Sequence, residues 1–320
     1  MSVSESAPKP DPAARASGDA PPHTPMRIAL AVATTGRRDT LRLTLPLINQ
    51  QTRAPDRVIL SVCDENDLDR AHLEATFADP VVIVGDKGLT KQRNRAVKAA
   101  ADCDVIVFLD DDFLIAPDFL AEVEALMEGE TRVTVATGTV IADGINGPGL
   151  SFEEGVRLLA GDGGADPAAD PLTPTYGAYG CNMVLRLAPM RAHNITFDER
   201  LPLYGWLEDI DVSRRLAQHG DVVRSERLRG VHLGEKRGRS SGLKLGYSQV
   251  ANPIYMVRKG NVRWRYGYGH LVRNVAKNTL RAFKPEPWVD RAGRLKGNLV
   301  AFWHLVTGRL KPEAMLTIDR

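Results

Sequence analysis

The sequence predicts an α/β fold built on a mostly parallel central sheet flanked by helices. Three observations carry that expectation. Short apolar, β-branched runs recur at residues 27–34, 57–62, 81–84 and 104–109. Stretches with helical spacing of Leu and Ile alternate with them, the pattern of parallel strands covered on both faces. Each run also ends on a polar or acidic residue, and sheets of this kind bind ligands beyond the carboxyl ends of their strands.

The elements follow in order. Arg27-Ile-Ala-Leu-Ala-Val-Ala-Thr34 is a buried-type strand, and Asp39 to Gln51 places Leu41, Leu45 and Ile48 on one helical face. Arg57-Val-Ile-Leu-Ser-Val62 is a second strand ending at Cys63-Asp64, and Val81-Val-Ile-Val84 a third. A helix over Thr90–Ala101 leads to a fourth strand, Asp104-Val-Ile-Val-Phe-Leu109, which ends in Asp110-Asp111-Asp112. Beyond it, Val133 to Ile141 reads as a strand and residues 142–176, rich in Gly, Asp and Pro, as a long loop. Cys181–Leu187 is another strand, Leu207–Gln218 a helix and Asp221–Ser225 a short strand.

Charge divides the chain more sharply than its net +2 suggests. Residues 1–223 hold 21 Lys/Arg against 34 Asp/Glu, and residues 224–320 hold 21 against 6. An acidic body with a basic tail predicts that the tail meets something anionic. Residues 1–25, rich in Ala, Pro, Ser and Asp, read as a disordered tail rather than a signal peptide. Cys63, Cys103 and Cys181 form no CxxC pair, which fits reduced thiols in the cytoplasm. No apolar run reaches the roughly 18 residues of a membrane span.

The triple aspartate is the strongest chemical signal. Asp110 and Asp112, two apart at a strand end, send their carboxylates to one side. At about 6 Å such charges repel by roughly 3 kcal/mol at an effective dielectric near 20. A divalent cation removes that repulsion, and hard oxygen ligands suit Mg²⁺ or Mn²⁺. Glu208 and Asp209, in Gly205-Trp-Leu-Glu-Asp-Ile-Asp211, open a helix, where acids stabilise the first turn by roughly 0.3–1 kcal/mol. Beside Trp206 and Tyr204 they also suit deprotonation of a hydroxyl held against an aromatic face. His232, in Gly230-Val-His-Leu-Gly234, is by itself a structural or a ligating histidine. The helix after Gly88 brings Lys91, Arg95 and Lys98 to one face and Arg93 to another, and its N-terminus suits phosphate.

Taken together, the order of these motifs resembles the family 2 inverting glycosyltransferases of the GT-A fold. The landmarks are Ala33-Thr-Thr35, Asp64, Gly88-Leu-Thr-Lys-Gln-Arg-Asn94, Leu109-Asp-Asp-Asp112, Gly180-Cys-Asn-Met183, Phe197-Asp-Glu199, Trp206-Leu-Glu-Asp209 and Val231-His232. They span residues 27–234, and the chain is similar to bacterial members that build exopolysaccharide or other surface glycans. The resemblance implies a nucleotide-diphosphate-sugar donor, a glycan or lipid-diphosphate-linked acceptor, and a Mn²⁺ or Mg²⁺ cofactor. It assigns Thr34, Asp64 and Arg93 to the nucleotide, and Asp110 to the ribose with Asp111 beside it. Asn182 and Trp206 go to the donor pocket and its sugar, Asp112 and His232 to the metal or diphosphate. Asp209 becomes the general base, with Glu208 assisting. On this basis residues 26–234 form the GT-A catalytic domain and 235–320 a basic helical region.

That region interleaves Arg258, Lys259, Arg263 and Arg265 with Tyr255, Trp264, Tyr266 and Tyr268. It suits either peripheral contact with an anionic membrane surface at the inner face of the cell membrane or a cap on the catalytic domain. No nucleic-acid motif accompanies the charge. A sugar nucleotidyltransferase would carry a Gly-rich loop after the first strand, where Thr34-Thr-Gly-Arg37 has one Gly; a dinucleotide oxidoreductase lacks its GxGxxG. An inactive glycan-binding or scaffold subunit of the same fold is the remaining alternative.

Overall fold

In the computed structural model, which describes residues 25–164, 172–237 and 240–318, the first four strands run parallel as the alternation predicts. The segment expected to be disordered lies, but for Pro25, outside the described residues. Strands β1 (Ile28–Ala33), β2 (Arg57–Val62), β3 (Val81–Val84) and β4 (Val105–Asp110) are separated by α1 (Arg38–Asn49), α2 (Arg70–Thr76) and α3 (Leu89–Ala99). The chain continues through β5 (Phe113–Ile115), α4 (Phe119–Gly129), β6 (Val133–Asp143), α5 (Phe152–Ala160), β7 (Thr173–Pro174) and β8 (Asn182–Arg186). It ends with α6 (Leu187–Ala192), α7 (Glu208–Leu216), β9 (Asp221–His232), α8 (Gly242–Lys259), α9 (Trp264–Ala282) and α10 (Arg291–Val306). The sheet order is β3-β2-β1-β4-β8-β6-β9-β5, with β7 paired to β9. β8 joins antiparallel to β4 and β6, so the parallel half continues into a mixed half.

Alternate residues of the central strands feed two cores. Leu30, Val32, Val105 and Val107 pack under α1, α2 and α4, while Ala29, Ala31, Ile106 and Phe108 pack under α3, α6 and α7. Two expectations are corrected. Residues 142–176 are not loop throughout, because Ser151 and Glu154 form a reciprocal capping box that starts α5, and that helix buries Gly155 against Leu114 and Leu233. The strand at 221 does not stop at Ser225. It runs on to His232, with register shifts against β6 that carry it across the sheet to β5.

The basic region is helical, and it packs against the start of α7 and the segment before it. Leu207 and Ile210 meet Met256 and Val262, each such buried side chain contributing about 1.5–3 kcal/mol. Asn252 donates to the Trp206 carbonyl at 2.9 Å, and Lys259 donates to Asp198 at 2.6 Å and Asp211 at 3.1 Å. α8 and α10 cross at close range: a Cβ on Gly246 would lie 2.0 Å from the Arg294 carbonyl, and one on Gly297 would lie 2.1 Å from that of Leu243. That approach holds α10 against α8.

Candidate functional site

The carboxyl ends of β1 and β4 bring three aspartates, a threonine and an arginine together. Asp110 closes β4. Asp111 turns inward, accepting from Thr34 Oγ1 at 2.5 Å and Arg37 Nη1 at 2.7 Å. Asp112 accepts from the Glu235 N–H at 2.6 Å through Oδ2. Its other oxygen is buried with no hydrogen-bond partner, 3.5 Å from His232 Nε2 and 3.7 Å from Arg37 Nη1. Topology explains the histidine: β5 begins one residue after Asp112 and pairs antiparallel with β9, so Phe113 faces His232 across the ladder. Asp143, at the end of β6, then meets His232 Nδ1 at 2.9 Å.

Asp110, Asp112 and His232 offer ligand atoms that all lie within 4.8 Å of one another. Two carboxylates and an imidazole, with one buried carboxylate oxygen unpaired, fit a divalent cation. The Asp143 contact is the partner that orients a ligating imidazole. Without an ion, the charges hold each other. Burial would raise Asp112, but His232 and Arg37 bring it down to about 2. Burial opposes charge on His232, but Asp112 and Asp143 lift it to about 10. Burial pushes Asp111 up to about 6 against the pull of Arg37.

A second cluster lies behind the first. Arg93, on α3, is 2% exposed; it donates to the Gly180 carbonyl at 2.8 Å, pairs with Glu208 and lies 3.7 Å from Asp110. Its guanidinium sits over Phe108 and Phe197, 5.4 and 5.6 Å from the ring centres. Asp209 accepts from the N–H groups of Gly180 at 3.0 Å and Ile210 at 2.8 Å. Burial and the Asp209 charge push Glu208 up to about 8, with Arg93 opposing, and burial raises Asp209 as well. Asn182 accepts from Thr137 Oγ1 at 2.6 Å, and its buried amide nitrogen has no partner.

A cavity of about 310 Å³ opens over the strand ends. Of the expected residues, Thr34, Asp110, Asp111, Asp112, Trp206 and His232 line it, whereas Asp64, Arg93, Asn182, Glu208 and Asp209 do not. Asp64 is exposed and caps the short turn after β2, accepting from the Asn66 N–H at 2.8 Å. The buried carboxylate of that turn is Asp67, which collects the N–H groups of Gly36, Cys63 and Asp64. Sequence reasoning missed Arg37, Asp143 and Gln92, whose amide donates to the carbonyls of Thr34 and Ser61 at 2.9 and 2.8 Å. It also missed that Gln249, Asn274, Lys277, Arg291 and Arg294 of α8–α10 form the opposite wall.

Residues 30–185 match the family model described as glycosyl transferase family 2. The chain carries a family 2-type glycosyltransferase domain. No curated protein sequence matches it. Among solved structures, S. aureus TarS 1–349 is similar at 15% identity and a TM-score of 0.56, over 89% of this chain and 82% of that one. The chain spans only 44% of the longer TarS structure, at 14% identity, 81% coverage of this chain and a TM-score of 0.52. The mannosyltransferase PcManGT from Pyrobaculum calidifontis, in complex with GDP-Man and Mn²⁺, is 13% identical with a TM-score of 0.53, over 91% and 85% of the two chains. These likenesses establish the GT-A fold of the transferase. The family match ends before Trp206, Glu208, Asp209 and His232, so the roles of those residues rest on their geometry.

Proposed function

We propose that the transferase moves a sugar from a nucleotide-diphosphate donor onto a glycan or lipid-diphosphate-linked acceptor, with inversion, in polysaccharide synthesis. The observation that carries this reading is the Asp110–Asp112–His232 cluster opening into the cavity beside Trp206. Those three residues would hold Mn²⁺ or Mg²⁺, which supplies charge neutralisation for a departing diphosphate. Thr34 and Lys87 line the donor side with the N-terminus of α3, whose positive dipole end suits phosphate. Asp111 holds Thr34 and Arg37 in place, and Arg93 and Asn182 support the donor wall from behind. Asp64 is assigned to the base at the rim of the strand ends.

Trp206 offers its face to a sugar ring. Asp209 lies behind the cavity lining but is partly exposed, and as the assigned base it takes the acceptor hydroxyl proton as that oxygen bonds to the anomeric carbon. The bond from that carbon to the diphosphate oxygen breaks on the opposite face, and the electron pair leaves with the nucleotide. Two N–H groups aim the Asp209 carboxylate, and its burial raises its proton affinity toward that of a working base.

No helix among the described residues is long and apolar enough to cross a membrane. α9 and α10 nonetheless hold seven Lys/Arg and no carboxylate, and exposed apolar side chains accompany them, Phe283 at 90% and Trp303 at 63%. This composition supports an anionic membrane surface as their outer partner, at the inner face of the cell membrane.

The test of the donor site is a thermal-shift screen of UDP-, GDP- and dTDP-sugars with and without Mn²⁺, repeated on Asp112→Ala. At about 100 times Kd, one nucleotide should stabilise the wild type by about 2.7 kcal/mol, and only with metal. A shift that survives Asp112→Ala or ignores metal refutes the assignment. It would favour the glycan-binding reading.

A further inference from the structure

The cavity has two unlike walls. On the strand-end side stand Asp110, Asp111, Asp112 and His232. On the other side, α8 supplies Gln249, α9 supplies Asn274 and Lys277, and α10 supplies Arg291 and Arg294. This second wall has three cations, two amides and no carboxylate. We infer that it is an acceptor subsite for a phosphate group flanked by sugar or polyol hydroxyls. The inference rests on the transferase reading, since it gives the acceptor the half of the cavity that the donor leaves.

The wall is built rather than incidental. Arg291, 4% exposed, is gripped by both oxygens of Glu286 at 2.9 and 3.0 Å and donates to Asn278 at 2.9 Å. Asn278 donates to Gln249 at 2.8 Å and to Asn298 at 3.0 Å, and Asn298 donates to the Gly246 carbonyl at 2.7 Å. Gln249 in turn donates to Asn274 at 3.3 Å. Helix packing alone needs no such network, which is stabilising only when every member is satisfied. Its effect is to fix the two cavity-lining amides at defined positions, suited to hydroxyls.

Charge balance then selects the ligand. Glu286 neutralises Arg291, but Lys277 has no ion pair or hydrogen bond among the described residues; Arg258, Arg273 and Lys296 of these helices share that condition, and of the four only Lys277 lines the cavity. A cation without a protein partner at a cavity wall favours an anion there. The metal cluster matches the donor diphosphate, so the unpaired ammonium across the cavity calls for a second anionic group.

The experiment titrates inorganic phosphate, glucose 6-phosphate, acetate and glucose into the full chain without metal, at constant ionic strength, by calorimetry. Without metal the aspartate side repels phosphate, so binding there is suppressed. Glucose 6-phosphate should bind more tightly than phosphate, and glucose and acetate should not bind. Lys277→Met should weaken glucose 6-phosphate about tenfold, the loss of one charge-assisted hydrogen bond, and Lys277→Glu should abolish it. Both replace an exposed side chain, so folding is checked by an unchanged melting curve. Equal binding to wild type and Lys277→Met overturns the subsite, as does acetate binding as tightly as phosphate. Competition by metal-free nucleotide also overturns it, because the anion would then occupy the donor site. Should no nucleotide bind with metal while glucose 6-phosphate still depends on Lys277, the donor reading fails and the anion subsite stands.

Discussion

Arg93 is the only cation hydrogen-bonded to Glu208 or Asp209 among the described residues, and its removal is the sharpest test of how the rear cluster is held. Arg93→Met keeps most of the apolar stem against Phe108 and Phe197 while deleting the guanidinium. Glu208 then has no buried cation, and the Gly180 carbonyl loses its 2.8 Å donor. Breaking a buried pair by removing one partner costs about 3–5 kcal/mol. With a urea m-value of about 2–3 kcal/mol/M, the midpoint should fall by about 1–2.5 M. The sign with pH is fixed by burial. A carboxyl whose folded pKa is raised takes up a proton on folding, so stability falls as pH climbs from its ordinary value through the folded one. Glu208 already stands at about 8, and deleting Arg93 moves it further up. The deficit should therefore be larger at pH 8.5 than at pH 6, where the orphan carboxyl is protonated. Glu208→Gln in the same background should recover more than half of it. A loss below about 1 kcal/mol at both pH values, or a larger one at pH 6, refutes this account of the cluster.

Other consequences are checked separately. Asp143→Asn removes the carboxylate on His232 Nδ1 and should weaken Mn²⁺ about 10–100-fold by titration, with little change in melting temperature; an unchanged affinity argues that His232 is not a ligand. If Asp209 is the base, kcat/KM rises with pH along a limb set by the raised Glu208–Asp209 pair, and Glu208→Gln shifts that limb to lower pH by removing a neighbouring negative charge. A limb that stays or moves upward contradicts the assignment. Phe283→Glu with Trp303→Glu should abolish sedimentation with phosphatidylglycerol vesicles while leaving nucleotide thermal shifts intact. Equal sedimentation of the double variant, or of wild type with phosphatidylcholine alone, removes the membrane from the proposal.

The parallel half of the sheet was legible because each strand is a local signal, an apolar run with its own ending. The triple aspartate was legible for the same reason. What escaped was set by distant pairing. Arg37 matters through Asp111, 74 residues away, and Asp143 through His232, 89 residues away. Neither carries a local mark that distinguishes it from a surface charge. The helix at 152–160 is different, since its Ser151–Glu154 capping box is a local signal, set among glycine and proline that read as loop. Asp64 and Asp67 show the limit within one turn. Both are acids after β2, and only the fold shows that Asp67 is the one drawn inward by three N–H groups.

The charge asymmetry between body and tail has three destinations rather than one. Some of it is spent internally: Lys259 bridges Asp198 and Asp211, and Arg200 reaches back to Glu313. These contacts dock α8 and the C-terminal turn onto residues 198–211. A second share faces outward on α9 and α10 beside exposed aromatic and aliphatic side chains. The third lines the cavity, where Lys277 stands across from the aspartates. Docking alone would be served by cations matched one-to-one with carboxylates, leaving no excess. Part of the residual charge lies on α9 and α10, where it is available to the two proposed partners. α9 carries both Lys277 of the cavity wall and the exposed Val272 and Leu280.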